Sequence, residues 1–342
     1  MLINRREIGI HHPPYIIAEM SNNHMNDLQR AFKLIELAKY AGVDAVKIQT
    51  YNAESLTIDC DKPDFVIPDK LWSGITYYDL YKEISMPFDW NKKLFDKANE
   101  VGITLFSSPF DELSVDLLED LNCPAYKIAS FEAKDYSFIK KVASTRKPII
   151  MSTGVSSMSD IVESVEIACE HGASEVAILH CISSYPSEVT DMNVSAITEL
   201  RKLGVVVGLS DHSLSDLAST MSIAYGASII EKHYTVSRAD GGPDADFSLE
   251  PEELKDLKDR TMQAWKARGN ANILKKNRSG AHHARSLYFV RDLKKGGIVT
   301  MEDIRSIRPG YGLEPKFMKD VLGKKLCKDV ERGDRVTWEC FQ

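Results

Sequence analysis

Residues able to do chemistry recur in this chain where short β-branched runs end. Glu19 closes YIIAEM (15–20) and is followed by Asn22, Asn23 and His24. Lys47 and Gln49 stand two apart in DAVKIQ (44–49), on one face of a strand. Ser107 and Ser108 end ITLFSS (103–108); Lys127 and Ser130 lie in AYKIAS (125–130), with Glu132 just beyond. PIIMST (148–153) supplies Ser152 and Thr153, and EVAILHC (175–181) supplies His180 and Cys181, then Ser183 and Tyr185. VVVGLS (205–210) ends in Ser210, followed by Asp211 and His212, and SIIEKHY (228–234) carries Glu231 and His233. Any one of these is ordinarily structural. Eight runs in succession, each finishing in polar residues, describe a site assembled from many strand ends.

The residue types suggest two kinds of ligand. His212 and His233 end consecutive runs, and neighbouring strands lie about 4.8 Å apart, so their imidazoles can share one divalent cation. Two histidines, with at most one carboxylate, would leave positions open for water or substrate. The alternative is two separate histidines, each hydrogen-bonded to a nearby carboxylate. Lys47 and Lys127, with the hydroxyls of Ser130, Ser152 and Ser210, suit a phosphate. Alternatively each lysine neutralises Glu19, Glu132 or Glu231, and both arrangements can coexist. No Walker A or GxGxxG sequence occurs, so a nucleotide is not indicated.

The elements that must position these residues alternate from residue 14 to about residue 268. Each apolar run is followed by an amphipathic stretch such as DLQRAFKLIELAKYAG or MSDIVESVEIACEHG, with apolar residues three and four apart and a terminal Gly. Eight such units predict a (β/α)8 TIM barrel over residues 1–268, with a doubly wound sheet as the other possibility. An insertion at 51–87, holding Phe65, Trp72, Tyr77, Tyr78 and Tyr81, leaves from a strand's C-terminal end. It is either a substrate-covering loop or a packed excursion over the rim. Residues 269–284 read as a polar linker. Residues 285–342 read as a small, mostly β domain whose size is marginal for independent stability.

The formal net charge of -7 argues against a nucleic-acid partner, and no apolar run reaches membrane-spanning length. Six cysteines are scattered without a CxxC pair, and the opening MLINRREIGIHHPP has no apolar signal core. The expectation is a cytoplasmic protein with reduced thiols. His11, His12, His282 and His283 are read as solvated.

In order and spacing, IIAEMSNNH (16–24), VKIQTY (46–51), LFSSPFD (105–111), YKIASFE (126–132), IIMSTG (149–154), LHCISSYP (179–186), VGLSDHS (207–213), IEKHY (230–234), RSLYFVRDLKKG (285–296) and RPGYGL (308–313) resemble the sialic acid synthase family. The resemblance covers nearly the whole chain, and the C-terminal part looks like the family's antifreeze-like (SAF) domain. AESLTIDCDKPDFVI (53–67), LWSGITYYDLYKE (71–83) and GLEPKFMKDVLGKK (312–325) are similar to the pseudaminic acid branch of that family. Ala245 after Gly-Pro-Asp departs from the neuraminate pattern.

The resemblance implies a transferase that condenses phosphoenolpyruvate with an amino-sugar aldehyde, 2,4-diacetamido-2,4,6-trideoxy-L-altrose, releasing phosphate by C–O cleavage. It implies Mn2+, Mg2+ or Co2+ on His212 and His233. It also implies a phosphoenolpyruvate site at Lys47, Lys127, Ser130, Ser152 and Ser210, with Ser183 where some relatives have Asn. Glu19 and Glu132 would hold sugar hydroxyls or move a proton, and Asn23 and Gln49 would position ligands. Tyr185 and His180 have a weaker claim, and Phe131 would line the sugar pocket. A domain-swapped homodimer would bring Arg308 to the partner's sugar. The rival readings are a legionaminate or N-acetylneuraminate synthase, a metal-dependent aldolase, and a non-catalytic sugar- or ice-binding protein.

Overall fold

A computed structural model of the protein describes residues 1–68, 74–270, 272, 274 and 279–342; Trp72 lies outside the described residues. The chain divides into two compact units, Met1–Gly269 and Asn270–Gln342.

The first unit opens with a short antiparallel hairpin, β1 (Leu2–Ile3) and β2 (Arg6–Glu7). Eight parallel strands follow: β3 (Tyr15–Glu19), β4 (Ala45–Thr50), β5 (Thr104–Pro109), β6 (Tyr126–Ile128), β7 (Ile149–Ser152), β8 (Val176–Cys181), β9 (Val206–Asp211) and β10 (Ile229–His233). They pair in chain order, and β10 returns to β3 with Ile229 opposite Tyr15 and His233 opposite Glu19. The sheet therefore closes into a barrel, and the doubly wound alternative is excluded. The hairpin caps the end where strands begin. Leu2 N donates to Glu175 and the Asn4 amide to Thr104, both at strand starts, while Asp44 gathers Arg6, Lys258 and the Ile16 amide.

Around the barrel run α1 (Leu28–Ala41), α2 (Ala53–Leu56), α3 (Tyr77–Ile84), α4 (Phe88–Val101), α5 (Glu112–Asp120), α6 (Tyr136–Ser144), α7 (Met158–Glu170), α8 (Ala196–Leu200), α9 (Leu217–Tyr225) and α10 (Pro251–Arg268). Local chemistry fixes their ends. Asp27 accepts from the Gln29 and Arg30 amides to start α1, and Gly42, at φ 75°, stops it in the left-handed region. Ser157 and Asp160 form a reciprocal cap on α7. The buried stripe of α1 (Ala31, Leu34, Ile35, Ala38) packs into one continuous apolar core with the outward residues of the strands.

The insertion after β4 is an ordered structure in its described parts. Asn52 caps α2, the chain doubles back through a bridge between Val66 and Thr76, and Thr76 caps α3.

In the second unit, β11 (Ser286–Phe289) pairs antiparallel with β12 (Ile304–Ile307). Isolated bridges such as Leu293 with Val330 and Leu326 with Phe341 add to a mostly β fold. Its own core gathers Leu287, Phe289, Val299, Ile304, Val321, Leu326, Val330 and Val336.

Candidate active site

Barrel strands alternate their side chains, so only every second residue near a strand's end faces the axis. That alternation sorts the polar residues of the sequence. Glu19, Lys47, Gln49, Lys127, Ser152, Cys181, Ser210, Glu231 and His233 face a cavity of about 620 Å³ at the C-terminal mouth, joined by Ser130, Glu132, Ser183, Tyr185 and His212 from the loops beyond. Phe131 also lines it, with much of its ring exposed.

Other expected members turn away. Asp211 pairs with Lys232 at 3.1 Å and accepts from Ser213 and Ser219, all behind the barrel wall. His180 Nε2 meets the Met192 carbonyl at 2.7 Å, which pins the loop after β8. Ser107 bonds Thr50 in a buried network with Asn91. Asn23, expected to position ligands, is wholly buried, and its amide donates to the Tyr234 carbonyl and to Ser248, both at 2.8 Å. It ties two loops together, while its neighbour Asn22 lines the cavity. Arg308 lies exposed in the second unit.

The cavity floor is a chain of buried charges. Lys47 Nζ lies 3.1 Å from Glu19 Oε2, 3.4 Å from Glu231 Oε1 and 3.3 Å from Ser108 Oγ. Gln49 donates to Glu19 Oε1 at 2.8 Å and to Ser21 at 3.1 Å, and Ser210 donates to Glu231 at 3.2 Å. Burial raises Glu19 to about 7, against the pull of Lys47 and with the help of Glu231's charge. Burial also works against ionisation of Glu231, but Lys127, Lys47 and His212 overcome it and hold this carboxyl below its usual range. Lys47 is driven down by burial and raised further by its two carboxylates, so it stays an ammonium.

Lys127 differs. Among the described residues it has no ion-pair partner; its Nζ donates to the Ile128 carbonyl at 3.1 Å, and burial lowers its pKa. The two lysines therefore divide the readings the sequence left open. Lys47 is paired in place, and Lys127 faces the cavity with no carboxylate in ion-pair contact among the described residues, sharing only the longer-range field of Glu231. In the same cavity the hydroxyls of Ser130 and Ser183 converge on Gly154, and Ser152 also lines it. The Gly154 amide donates to Ser130 Oγ at 3.1 Å, and a Cβ there would meet Ser183 Oγ at 2.0 Å. Ser152 Oγ is buried without a hydrogen-bond partner among the described residues.

The two imidazoles stand side by side, with ring centroids 5.3 Å apart at 65°. His212 Nδ1 is occupied by the Ile182 carbonyl at 2.9 Å, leaving Nε2 as its available donor atom. His233 Nδ1 is buried with no hydrogen-bond partner and lies 3.7 Å from Asp244 Oδ2. Burial, with His212 and Lys47 nearby, pushes His233 well below the usual histidine range and so favours its neutral form. Among the described residues no group of three or more His, Cys, Asp or Glu is gathered to enclose a metal. A divalent ion, if held here, would have the two imidazoles as its only such donors among the described residues, with its remaining positions left to water or substrate. Tyr185 stacks tilted against His212 at 4.3 Å, and Phe247 packs on His233 at 4.9 Å, so the second face of each ring is fixed.

Sequence reasoning passed over Asp244 and Phe247, which reach the site from the loop after β10. The Gly-Gly-Pro-Asp run (241–244), in the loop that follows β10, was the available signal. Glu231 was noted only as a possible counter-charge, yet it is the carboxylate shared by Lys47 and Ser210.

Comparison with known proteins gives a consistent result. The chain matches the NeuB family over residues 34–273 and the SAF domain over residues 284–342. It is 42% identical over 331 residues to the pseudaminic acid synthase of Campylobacter jejuni subsp. jejuni serotype O:23/36 (strain 81-176), covering 96% of each chain. It is 32% identical over 333 residues to the N,N'-diacetyllegionaminic acid synthase of Legionella pneumophila, covering 95% of this chain and 94% of that one. Among solved structures, the N-acetylneuraminic acid synthetase of Leptospira borgpetersenii serovar Hardjo-bovis, solved with citrate, superposes with a TM-score of 0.73 at 30% identity, covering 82% of this chain and 92% of that one.

Proposed function

The chain belongs to the NeuB family, and from that premise we propose that it condenses phosphoenolpyruvate with 2,4-diacetamido-2,4,6-trideoxy-L-altrose and water to give pseudaminic acid and phosphate. The observation that carries this reading is Lys127, a buried lysine with no carboxylate in ion-pair contact among the described residues, set beside three hydroxyls and two imidazoles in one cavity.

In this reading Lys127, Ser130, Ser152, Ser183 and the backbone around Gly154 hold the phosphate, and Ser210 and Lys47 hold the carboxylate end of phosphoenolpyruvate. A Mn2+, Mg2+ or Co2+ ion on His212 and His233 would supply Lewis acidity toward the aldehyde oxygen of the sugar. C3 of the enol attacks the aldehyde carbon, and positive charge develops at C2. Water adds at C2, and the tetrahedral carbon then expels phosphate by breaking its C–O bond. Glu19, near 7, can take the proton released by that water, with Gln49 fixing its orientation. Glu132, raised by burial, faces the cavity where a sugar hydroxyl or acylamido group would donate or accept. We further propose a homodimer in which Arg308, within the residues that match the SAF domain, serves the sugar of the other chain.

Support for the sugar comes from the identity to pseudaminic acid synthases, 42% against 32% for the legionaminate enzyme. The test is phosphate release on incubation with phosphoenolpyruvate, Mn2+ and one aldehyde at a time. Release with the altrose derivative is expected. Release with N-acetylmannosamine and none with the altrose derivative would reject the substrate. Consumption of the aldehyde that does not require phosphoenolpyruvate would reject the reaction class in favour of an aldolase.

A further inference from the structure

The two imidazoles come from neighbouring strands, and a buried ion pair joins those strands one residue away from each ring. β9 and β10 pair in parallel with Lys232 opposite Asp211. His212 follows Asp211, and His233 follows Lys232. Successive strand residues face opposite ways, so Ser210, Glu231 and His233 line the cavity while Asp211 and Lys232 turn outward. They meet at 3.1 Å with both side chains sealed from water. Elsewhere this outward layer pairs apolar residues, Ala18 with Val46, Val46 with Leu105 and Ile128 with Met151. A charged pair is not needed to close such a seam, because apolar residues can replace a buried ion pair with little loss of stability.

The pair is connected to the turn that carries His212. Lys232 Nζ donates to the carbonyls of Ser213 and Ser215, the latter at 3.0 Å. Asp211 Oδ1 accepts from the Ser213 amide at 2.9 Å and the Ser213 hydroxyl at 2.7 Å, and Oδ2 accepts from Ser219 of α9 at 2.6 Å. Residues on both sides of His212 are thus tied to one ammonium, carried by the residue before His233. The Ser187 amide donates to the His212 carbonyl at 3.1 Å, and the Ile182 carbonyl meets Nδ1 at 2.9 Å, which leaves the ring little freedom.

Resting on the metal reading above, we infer that Lys232 is a positioning residue for the imidazole pair. Its ammonium, with Asp211, locks the turn bearing His212 against the strand bearing His233 and sets the spacing at which the two rings share a divalent ion. Lys232 faces away from the cavity and acts only through the backbone it holds. Neighbours that orient the ligands of an ion in this way govern its affinity.

The test measures Mn2+ affinity by electron paramagnetic resonance on the full-length protein without substrates. Lys232→Met combined with Asp211→Asn removes the ammonium, leaves no unpaired buried charge and keeps an acceptor for Ser213. This double variant is expected to bind Mn2+ about 10- to 100-fold more weakly than the wild type. Lys258→Met breaks a different ion pair, with Asp44 at 2.6 Å, at the end where strands begin. It is expected to lose stability with Mn2+ affinity unchanged. Undiminished affinity in the double variant, with cooperative urea unfolding showing that it is folded, would overturn the inference and leave the pair a structural crosslink. An equal loss of affinity in Lys258→Met would also overturn it, as a response to any loosening of the barrel. If the double variant does not fold, Ser219→Ala, which removes one donor to Asp211, decides: weaker Mn2+ binding supports the role and wild-type binding overturns it. Mn2+ binding that is indifferent to His233→Ala would strike the metal reading itself, and this inference with it.

Discussion

Lys47 Nζ lies 3.1 Å from Glu19 Oε2, with both side chains almost sealed from water, whereas Lys127, equally buried in the same cavity, has no carboxylate partner among the described residues. Two lysines of like burial should therefore respond oppositely to neutralisation. Lys47→Met leaves Glu19 and Glu231 facing each other uncompensated and should cost on the order of 3 kcal/mol of stability. Lys127→Met removes a desolvated charge and should leave the midpoint of urea unfolding unchanged or raised, while kcat/KM for phosphoenolpyruvate falls at least ~100-fold. Equal destabilisation by the two substitutions would mean that Lys127 is a structural cation.

The same floor predicts a pH dependence of stability with a definite sign. Glu19 is raised from its ordinary value to about 7, with burial the first cause. An acid raised on folding binds more protons in the folded state, so its contribution is fully present below the unfolded pKa and declines as pH rises through 7. Relative to Glu19→Gln, the wild type should lose stability between about pH 4.5 and 7, by on the order of 3 kcal/mol at the upper end. Urea unfolding at a series of pH values measures this. A difference between the two proteins that does not vary with pH would show that Glu19 is ionised throughout.

Much of this architecture is written locally in the chain. Most barrel strands are apolar runs that close in or just before a polar residue, and several helices are bounded by a cap such as Asp27 or Gly42, so fold and mouth could be read together. What could not be read was direction. A one-residue step decides whether Asp211 meets the substrate or Lys232, and whether Asn23 faces the cavity or Tyr234. Which lysine finds carboxylates depends on register across the barrel, where Glu19 stands opposite Lys47. The insertion that lines the cavity with Leu56, Leu80 and Ile84 was legible only as an aromatic-rich excursion with two possible fates. Its facing side depends on how α3 lies over the rim, and no local pattern fixes that.

The imidazole pair predicts a separable metal site. His233→Ala removes a neutral ring whose Nδ1 has no hydrogen-bond partner, so folding should be preserved while Mn2+ affinity, read by electron paramagnetic resonance of the ion, weakens at least ~100-fold. The wild type treated with a chelator should lose activity and regain it on adding Mn2+. Undiminished Mn2+ binding by the His233→Ala protein would place the ion elsewhere.

The proposed role of Arg308 can be tested by complementation. If each cavity draws its lysine from one chain and its arginine from the other, a Lys127→Met protein and an Arg308→Ala protein fail for different reasons. Mixed dimers of the two would contain one cavity lacking both groups and one cavity with both intact. Assayed at sugar well below the raised KM of the Arg308→Ala protein, co-expression or mixing after mild dissociation should therefore restore activity above either parent, to roughly a quarter of the wild-type level for random pairing. Arg308→Ala alone should raise KM for the sugar more than for phosphoenolpyruvate, because its guanidinium would meet an acylamido oxygen and not the phosphate. Failure of the mixture to exceed its parents, with dimer exchange verified by mass, would show that each chain supplies both groups to its own cavity. Arg308 would then act within its own chain or not at all.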